Sequence, residues 1–185
     1  MNKIVFGLAL LLVGTAAFGQ VAEVSVSGGV SRLSNNDLGS GYTLDNGFRL
    51  AIRGTFNMGR FLGHEVGYAY NRTSLVSNGS SQGTSIHQGG YNFLAYGTHE
   101  GSKVRPFATV GGHFSNFVVP GYSATSGGGQ NKFGFNYGGG VKAKISGMFG
   151  VRFDVRQYQT GKPFDLGGTG RLKQTEISAG ICLFL

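Results

Sequence analysis

His113 and Ser115 are a pair whose residue types and spacing could support catalysis. In a strand, residues two positions apart point to the same side, so the imidazole and the hydroxyl would share one face. A histidine beside a serine, with a carboxylate behind the histidine, is the arrangement that activates a hydroxyl nucleophile. After Ser115, however, the next acidic residue is Asp154. We therefore keep an enzyme with His113 and Ser115 in its site as an alternative hypothesis. The prediction is that this chain has no catalytic residue.

A second set consists of charged residues that recur at alternate positions of otherwise apolar stretches. Its members are Arg49, Arg53, Glu65, Lys142, Lys144, Arg152, Asp154, Arg156 and Glu176. Charges collected on one wall could form an ion pathway, or they could pair and fill an enclosed space. Because an isolated buried charge costs several kcal/mol, we expect paired charges that replace an apolar core.

Other chemistry-bearing residues form no recognisable site. The histidines lack the close spacing of metal ligands and lie at His64, His87, His99 and His113. The glycine triplets at 127–129 and 138–140 lack the Gly-Lys-Ser/Thr ending of a phosphate loop. We therefore expect no metal and no cofactor.

The clearest structural signal is the stretch from Lys132 to Tyr158. Phe133, Phe135 and Tyr137 alternate with glycine and asparagine. Further along the chain, Val151, Phe153 and Val155 alternate with charged residues. A period of two in both halves, with a four-residue break between them, predicts a β-hairpin.

The same period predicts eight strands in the chain. The predicted strands are Val21–Arg32, Gly47–Asn57, His64–Leu75, Ile86–Gly97, Val104–Phe117, the two arms of 132–158, and Arg171–Leu185. Long connections at 33–46, 76–85, 118–131 and 160–170 alternate with short ones at 58–63, 98–103 and 146–149. This rhythm predicts an all-β, eight-stranded antiparallel up-and-down barrel.

The lengths of the strands and the chemistry of their faces favour a membrane. Each predicted strand approaches or exceeds the about 9–11 residues that cross a bilayer at a tilt. An outward wall of Phe, Tyr, Val and Leu would aggregate in water, whereas in lipid it is the expected wall, with polar residues inside. A secreted soluble barrel of lipocalin type, with its apolar face inward, is the alternative.

Composition and the N-terminus agree with export. Lys3, an apolar run from Ile4 to Val13 and small residues at Ala17 and Gly19 predict a signal peptide over 1–19 and a barrel over 20–185. The 35 glycines among 185 residues suit close-packed strands better than helices. The single Cys182 excludes an internal disulfide.

The chain resembles the small outer-membrane β-barrel family of OmpA/OmpX type, the outer membrane protein beta-barrel domain. The resemblance rests on the hairpin F-G-F-N-Y-G-G-G-V-K with F-G-V-R-F-D-V-R-Q-Y, and on the alternation from Ile177 to Leu185. It implies a Gram-negative outer-membrane location, recognition of the last strand by the barrel assembly machinery, and passage with periplasmic chaperones. A departure is that Leu185 is terminal while Phe184 is penultimate.

The expected function is a structural or surface-interaction role in the envelope, as a monomer with a narrow, filled lumen. The lipid A deacylases, which are also eight-stranded barrels with a His-x-Ser pair, provide the enzymatic alternative at His113 and Ser115. The net charge of +8 includes no basic run, so we expect no nucleic acid partner. Basic residues at strand ends are expected to contact lipopolysaccharide phosphates: Arg32, Arg72, Lys132, Lys162 and Arg171. Aromatic residues near strand ends are expected to form an interfacial girdle: Tyr42, Phe61, Tyr70, Tyr91, Tyr96 and Tyr158.

Overall fold

The computed structural model of the protein describes residues 22–122, 124 and 128–185. The predicted signal peptide, 1–19, lies outside these residues. Within the described ranges, no helix is both long enough and apolar enough to span a membrane.

The described residues form ten strands. They are β1 (Ala22–Ser34), β2 (Asp37–Gly39), β3 (Tyr42–Leu44), β4 (Gly47–Met58), β5 (Leu62–Ser77), β6 (Ser80–Tyr96), β7 (Val104–Val118), β8 (Gly129–Lys144), β9 (Phe149–Gly161) and β10 (Arg171–Phe184). The predicted strands thus correspond to β1 and β4 to β10, with ends that differ by a few residues.

The eight long strands close into an antiparallel barrel. Each pairs with the next in the order β1, β4, β5, β6, β7, β8, β9, β10, and β10 pairs with β1 through the register Val26 to Ile181. Closure gives each of the eight long strands a partner on both sides in the described part of the chain, so the barrel itself has no open edge. In this ring β5 stands opposite β9, β6 opposite β10, and β1 opposite β7. The predicted fold is confirmed.

Two of the predicted long connections have more structure than expected. The stretch 76–85 was expected to be a loop, and this is wrong, because β5 and β6 continue as a paired ribbon to a two-residue turn at Asn78-Gly79. Both turn residues have positive φ, 50° and 76°, as a type I′ hairpin turn requires. The connection 33–46 contains β2 and β3, and β3 extends the sheet by pairing with β5.

Burial divides every strand into the two predicted faces. Outward side chains are largely exposed, for example Val26 at 57%, Phe93 at 54% and Phe133 at 80%. Inward side chains are almost completely buried, with Glu65 and Asp154 both at 0%. The apolar wall therefore faces outward and the charged wall faces the lumen, which is the arrangement of a transmembrane barrel.

An apolar cluster covers the end of the barrel that carries the long connections. Buried side chains from four barrel strands and from the connection 35–46 meet there, namely Leu33, Leu38, Leu44, Ile86, Phe117 and Leu172. Leu38 and Leu44 have no exposed surface. Phe164 and Leu166, from the connection between β9 and β10, pack against this cluster. We call this cluster the outer lid.

Candidate functional site: the charged lumen

The lumen contains the charged residues that the alternation predicted, with one exception. Those that are buried are Arg49, Arg53, Glu65, Lys142, Arg152, Asp154, Arg156 and Glu176. The expectation for Lys144 is wrong in part, because this residue is exposed at the inner mouth of the barrel, where it lies over the Phe184 ring. It stands at the end of its strand, where the wall no longer encloses it.

Glu65 joins the two opposite walls of the barrel at mid-height. From β5, its carboxylate is 2.7 Å from Arg152 Nη1 and 2.8 Å from Arg156 Nη2, both on β9. Arg53 Nε of β4 lies 3.9 Å away. A contact between opposite strands spans the diameter of the barrel, so the side chains of Glu65, Arg152 and Arg156 meet at its axis.

Asp154 neutralises part of the positive charge at the same level. It lies between Arg152 and Arg156 on β9, two residues from each, so all three point inward. Arg152 Nε donates to Asp154 Oδ2 at 2.6 Å, and Arg156 Nη2 donates to Asp154 Oδ1 at 2.9 Å. Each arginine therefore contacts two carboxylates, as buried guanidinium groups require.

Glu176 forms a second ion-pair centre, nearer the outer end. Arg49 Nε is 3.0 Å from its Oε2, and Arg53 Nη2 donates to its Oε1. Tyr158 donates its hydroxyl proton to Glu176 Oε2 at 2.9 Å. The side chain is thereby fixed from three directions.

Neutral amides cross the lumen above this centre. Gln88 Nε2 of β6 donates to Gln174 Oε1 of β10 at 2.9 Å, across the diameter, and Gln174 Nε2 donates to Asn71 Oδ1 at 3.0 Å. Sequence reasoning identified the charges but missed this amide layer. The signal was available, because Gln88, Asn71 and Gln174 occupy inward positions of their alternating strands.

The inner end carries a third charged group, of which the sequence pattern had identified only Lys142. Lys142 donates to Glu23, and Asn57 Nδ2 donates to Glu23 Oε1 at 2.8 Å. Arg105 Nη1 lies 3.7 Å from the same oxygen, with its guanidinium 3.7 Å from the centre of the Tyr96 ring. The alternation of side chains along β1 and β7 would have predicted that Glu23 and Arg105 point inward.

The packing leaves little free space in the middle of the lumen. A cavity of about 20 Å³ lies beside Asn92, His113 and Asn136. Such a volume accommodates about one water molecule. Large side chains therefore leave little space around this cavity, and the interior of an eight-stranded barrel is in general just wide enough for side chains.

His113 and Ser115 share one face, as predicted; this face is the inward one, and each side chain contacts other residues. The His113 Nε2 is 2.8 Å from Thr160 Oγ1, and its ring packs edge-on against Tyr158. Ser115 accepts a hydrogen bond from Gln88 Nε2 at 2.9 Å. No hydrogen bond joins His113 to Ser115 in the part of the chain that the structure describes.

The described residues contain no group of three or more His, Cys, Asp or Glu side chains that could hold a metal ion. Cys182 is buried on the inward face near the inner end. His64 and His87 lie on the outward face, where each contacts a tyrosine hydroxyl, of Tyr91 and Tyr68 respectively.

The expected basic rim divides into two groups. Arg32, Arg72 and Arg171 are exposed near the outer ends of their strands. Lys132 instead pairs with Asp165 at 2.9 Å, and Lys162 donates to the Asp37 carbonyl, so both hold the connections in place.

The expected aromatic girdle is wrong for two of its members. Tyr96 and Tyr158 are each only 5% exposed and point into the lumen, because they share the parity of the inward residues on their strands. Phe61 and Tyr91 remain exposed on the outward side.

A closed barrel with an apolar outer wall and a charged, paired interior defines the class of the protein as a transmembrane β-barrel. The family described as "Outer membrane protein beta-barrel domain" matches residues 6–182. The chain belongs to this family, and it is located in the outer membrane. The alternative of a secreted soluble barrel is therefore wrong.

Solved structures with the same fold cover nearly the whole chain. Neisserial surface protein A is 16% identical, with 89% of this chain and 96% of that chain covered and a TM-score of 0.58. The Ail attachment invasion locus protein of Yersinia pestis, solved with the heparin analogue sucrose octasulfate, is 14% identical, with coverage of 90% and 99% and a TM-score of 0.54. The N-terminal barrel domain of Pseudomonas aeruginosa OprF is 11% identical, with coverage of 89% and 97% and a TM-score of 0.55. No curated protein matches the chain.

Proposed function

We propose that the protein is a closed, monomeric outer-membrane barrel without enzymatic activity, whose role is structural or surface-interacting. The observation that carries this proposal is the contact of Glu65 on β5 with Arg152 and Arg156 on β9, which occupies the axis of the barrel. Buried ions held on both sides of the lumen leave no continuous wide path for solutes, and the outer lid covers one mouth.

Conductance across planar bilayers tests this proposal. The purified full chain is expected to insert without producing stable current steps of porin size. A channel-forming outer-membrane porin, inserted under the same conditions, serves as the positive control. Steps of porin size from this protein would contradict the proposal.

The lipid A-modifying alternative is disfavoured by where its two residues point. Lipid A lies outside the barrel wall, whereas His113 and Ser115 are buried inside and bond to Thr160 and Gln88. Mass spectra of lipid A from cells with and without the protein are expected to be identical. A change in acylation that depends on Ser115 would restore the enzymatic reading.

We further infer that lipopolysaccharide phosphates contact a basic patch on the outer ends of β1 and β10. Arg32 and Lys173 lie on the outward face two positions apart in the register, and Arg171 is two residues from Lys173. Arg171 lies 5.3 Å from the centre of the Phe135 ring, which anchors its guanidinium at the wall. Cations at this height face the anionic headgroups of the outer leaflet.

Reversal of the three charges tests this contact. The triple variant R32E/R171E/K173E is expected to raise the permeability of cells to hydrophobic antibiotics, because like charges would repel the lipid phosphates. The matched control is R60E, at an exposed residue of the turn at the opposite end. Equal permeability in cells carrying the wild type and the triple variant would contradict the inference.

The biogenesis of the protein follows from the same proposal. A signal peptide that ends at Gly19 is removed during export, and the terminal strand β10 is bound by the assembly machinery after periplasmic chaperones deliver the chain. The mass of the intact protein from outer membranes is expected to correspond to residues 20–185. A mass that retains 1–19 would contradict the proposed cleavage.

A further inference from the structure

The inner mouth of the barrel contains a cavity that the ion pairs of the lumen do not fill. Its volume is about 110 Å³, compared with about 20 Å³ for the cavity at mid-height. Four cations line it, Lys103, Arg105, Lys142 and Lys144, together with the carboxylates of Glu23 and Glu100. The lining therefore carries an excess of two positive charges.

Arg105 is a buried group whose donors are incompletely satisfied. Its residue is 5% exposed, so water replaces few of its missing contacts. Its Nη2 lies 3.5 Å from the Arg60 carbonyl and its Nη1 lies 3.7 Å from Glu23, while its Nε has no hydrogen-bond partner in the described part of the chain. A guanidinium carries five N–H donors, so Nη1 and Nη2 of Arg105 keep N–H groups beyond these two contacts.

The carboxylates do not neutralise this site. Glu23 already accepts hydrogen bonds from Lys142 and from Asn57. Lys103 and Lys144 form no ion pair with a carboxylate among the described residues. Glu100 is the remaining acidic group of the lining, against the two cations Lys103 and Lys144.

We propose that the inner mouth binds one phosphate-class oxyanion. A planar guanidinium with free donors, flanked by ammonium groups from the wall and from the turn 97–103, matches a tetrahedral group with several acceptor oxygens. The cavity exceeds the about 30 Å³ that one water takes up in the liquid, so it has room for a group of several heavy atoms. Because short turns lie on the periplasmic side, the ligand is either soluble phosphate or the headgroup phosphate of an inner-leaflet phospholipid.

Inorganic phosphate is the first probe. The full chain is refolded in maltoside micelles, and phosphate is titrated at constant ionic strength while binding is followed by calorimetry and by the thermal midpoint of unfolding. The test variant is K103Q/K144Q, which removes two lining charges that have no ion pair to break. The matched control is R60Q, which removes an exposed charge at the same end from a residue that does not line the cavity.

The expected results separate the two variants. K103Q/K144Q should bind phosphate at least tenfold more weakly than the wild type, while R60Q should bind it as the wild type does. R105Q should lose binding as well, and its far-ultraviolet circular dichroism shows whether it is folded. Equal phosphate affinity in the wild type and in K103Q/K144Q would overturn the site.

A second arm identifies the source of the ligand. Micelles doped with phosphatidylglycerol are examined by native mass spectrometry, with the same three proteins. Binding of free phosphate in lipid-free micelles supports a soluble ligand. Retention of one phospholipid by the wild type and the control, lost in K103Q/K144Q and without binding of free phosphate, supports the headgroup. Failure of the wild type to bind either probe overturns the proposal, whereas the conductance test of the closed lumen is unaffected.

Discussion

Different kinds of side chains meet at the two mouths of the barrel. At the outer mouth, apolar side chains from the strands and from the connection 35–46 form the outer lid, in which Leu38 and Leu44 have no exposed surface. At the inner mouth, Lys142 and Arg105 surround Glu23 beside a cavity of about 110 Å³. Long connections can contribute apolar side chains to the mouth that they border. Short turns cannot, so the side chains that meet at the inner mouth are charged residues of the barrel wall.

The largest expected effect comes from the charged layer between the two mouths. Glu65→Gln leaves Arg53, Arg152 and Arg156 without the carboxylate that they share. Breaking a buried ion pair in this way lowers the free energy of unfolding by about 3–5 kcal/mol. Urea unfolding from lipid vesicles measures the change.

The control for this variant is Asp45→Asn, at an exposed carboxylate of the outer connection. It is expected to change the free energy of unfolding by no more than about 0.5 kcal/mol. If Glu65→Gln were equally mild, the ion pairs would not be holding the interior together.

Weakening the outer lid should have a smaller and local effect. Leu44→Ala creates a cavity at a fully buried position, and such changes cost about 2–5 kcal/mol. Because Leu44 belongs to the short strand β3, the loss should favour local opening of 35–46 rather than unfolding of the barrel. Hydrogen exchange should therefore accelerate in 35–46 and stay unchanged in 151–157. Uniform acceleration over both segments would contradict the separation of lid and barrel.

The hairpin tip at Asn78-Gly79 gives a smaller effect again. Gly79 has a φ of 76° and nothing within 4 Å of an added Cβ, so Gly79→Ala is opposed by backbone conformation alone. The expected loss is about 1–2 kcal/mol. Gly147 also has open space but no positive φ, so Gly147→Ala is the matched control and should be neutral or slightly stabilising. Equal losses in both variants would refute the assignment of the turn.

The smallest effect is a pH dependence at the rim of the lid. Hydrogen bonds from Lys132 and Gln130 lower the pKa of the exposed Asp165 carboxyl. Because this pKa is depressed, the contact contributes fully above the ordinary value of about 3.9 and is lost as the pH falls through the lowered value. Protection against hydrogen exchange in 162–170, relative to the intrinsic rate at each pH, should fall in acid for the wild type. Asp165→Asn should show the lower protection at all pH values, and a wild type that behaves like the variant near neutral pH would contradict the contact.

Much of the fold followed from the period of two in the sequence. It placed the eight long strands, assigned Glu65 and Asp154 to the inside, and assigned Phe133 and Val151 to the outside. The turn at Asn78-Gly79 was missed although Asn-Gly is a strong type I′ signal, because the polar residues around it resembled a loop.

The partners within the lumen could not be predicted in the same way. Parity shows that Glu65 points inward, but not that it meets β9, since that contact depends on the ring of strands and on the tilt of the barrel. The alternation of inward and outward positions could also have predicted four further inward side chains, but these were missed: Glu23, Arg105, Gln88 and Gln174. The outer lid could not be foreseen, because Leu38 and Leu44 lie in a connection with no period of its own.

The central claim is that ion pairs across the diameter hold the barrel interior together. A double-mutant cycle with E65Q, R152Q and E65Q/R152Q, measured by urea unfolding from lipid vesicles, tests it most directly. Since the two groups are 2.7 Å apart and buried, the cycle should give a coupling energy of about 1–3 kcal/mol, with the double variant less destabilised than the sum of the single variants. Additive losses, with no coupling beyond error, would contradict the claim.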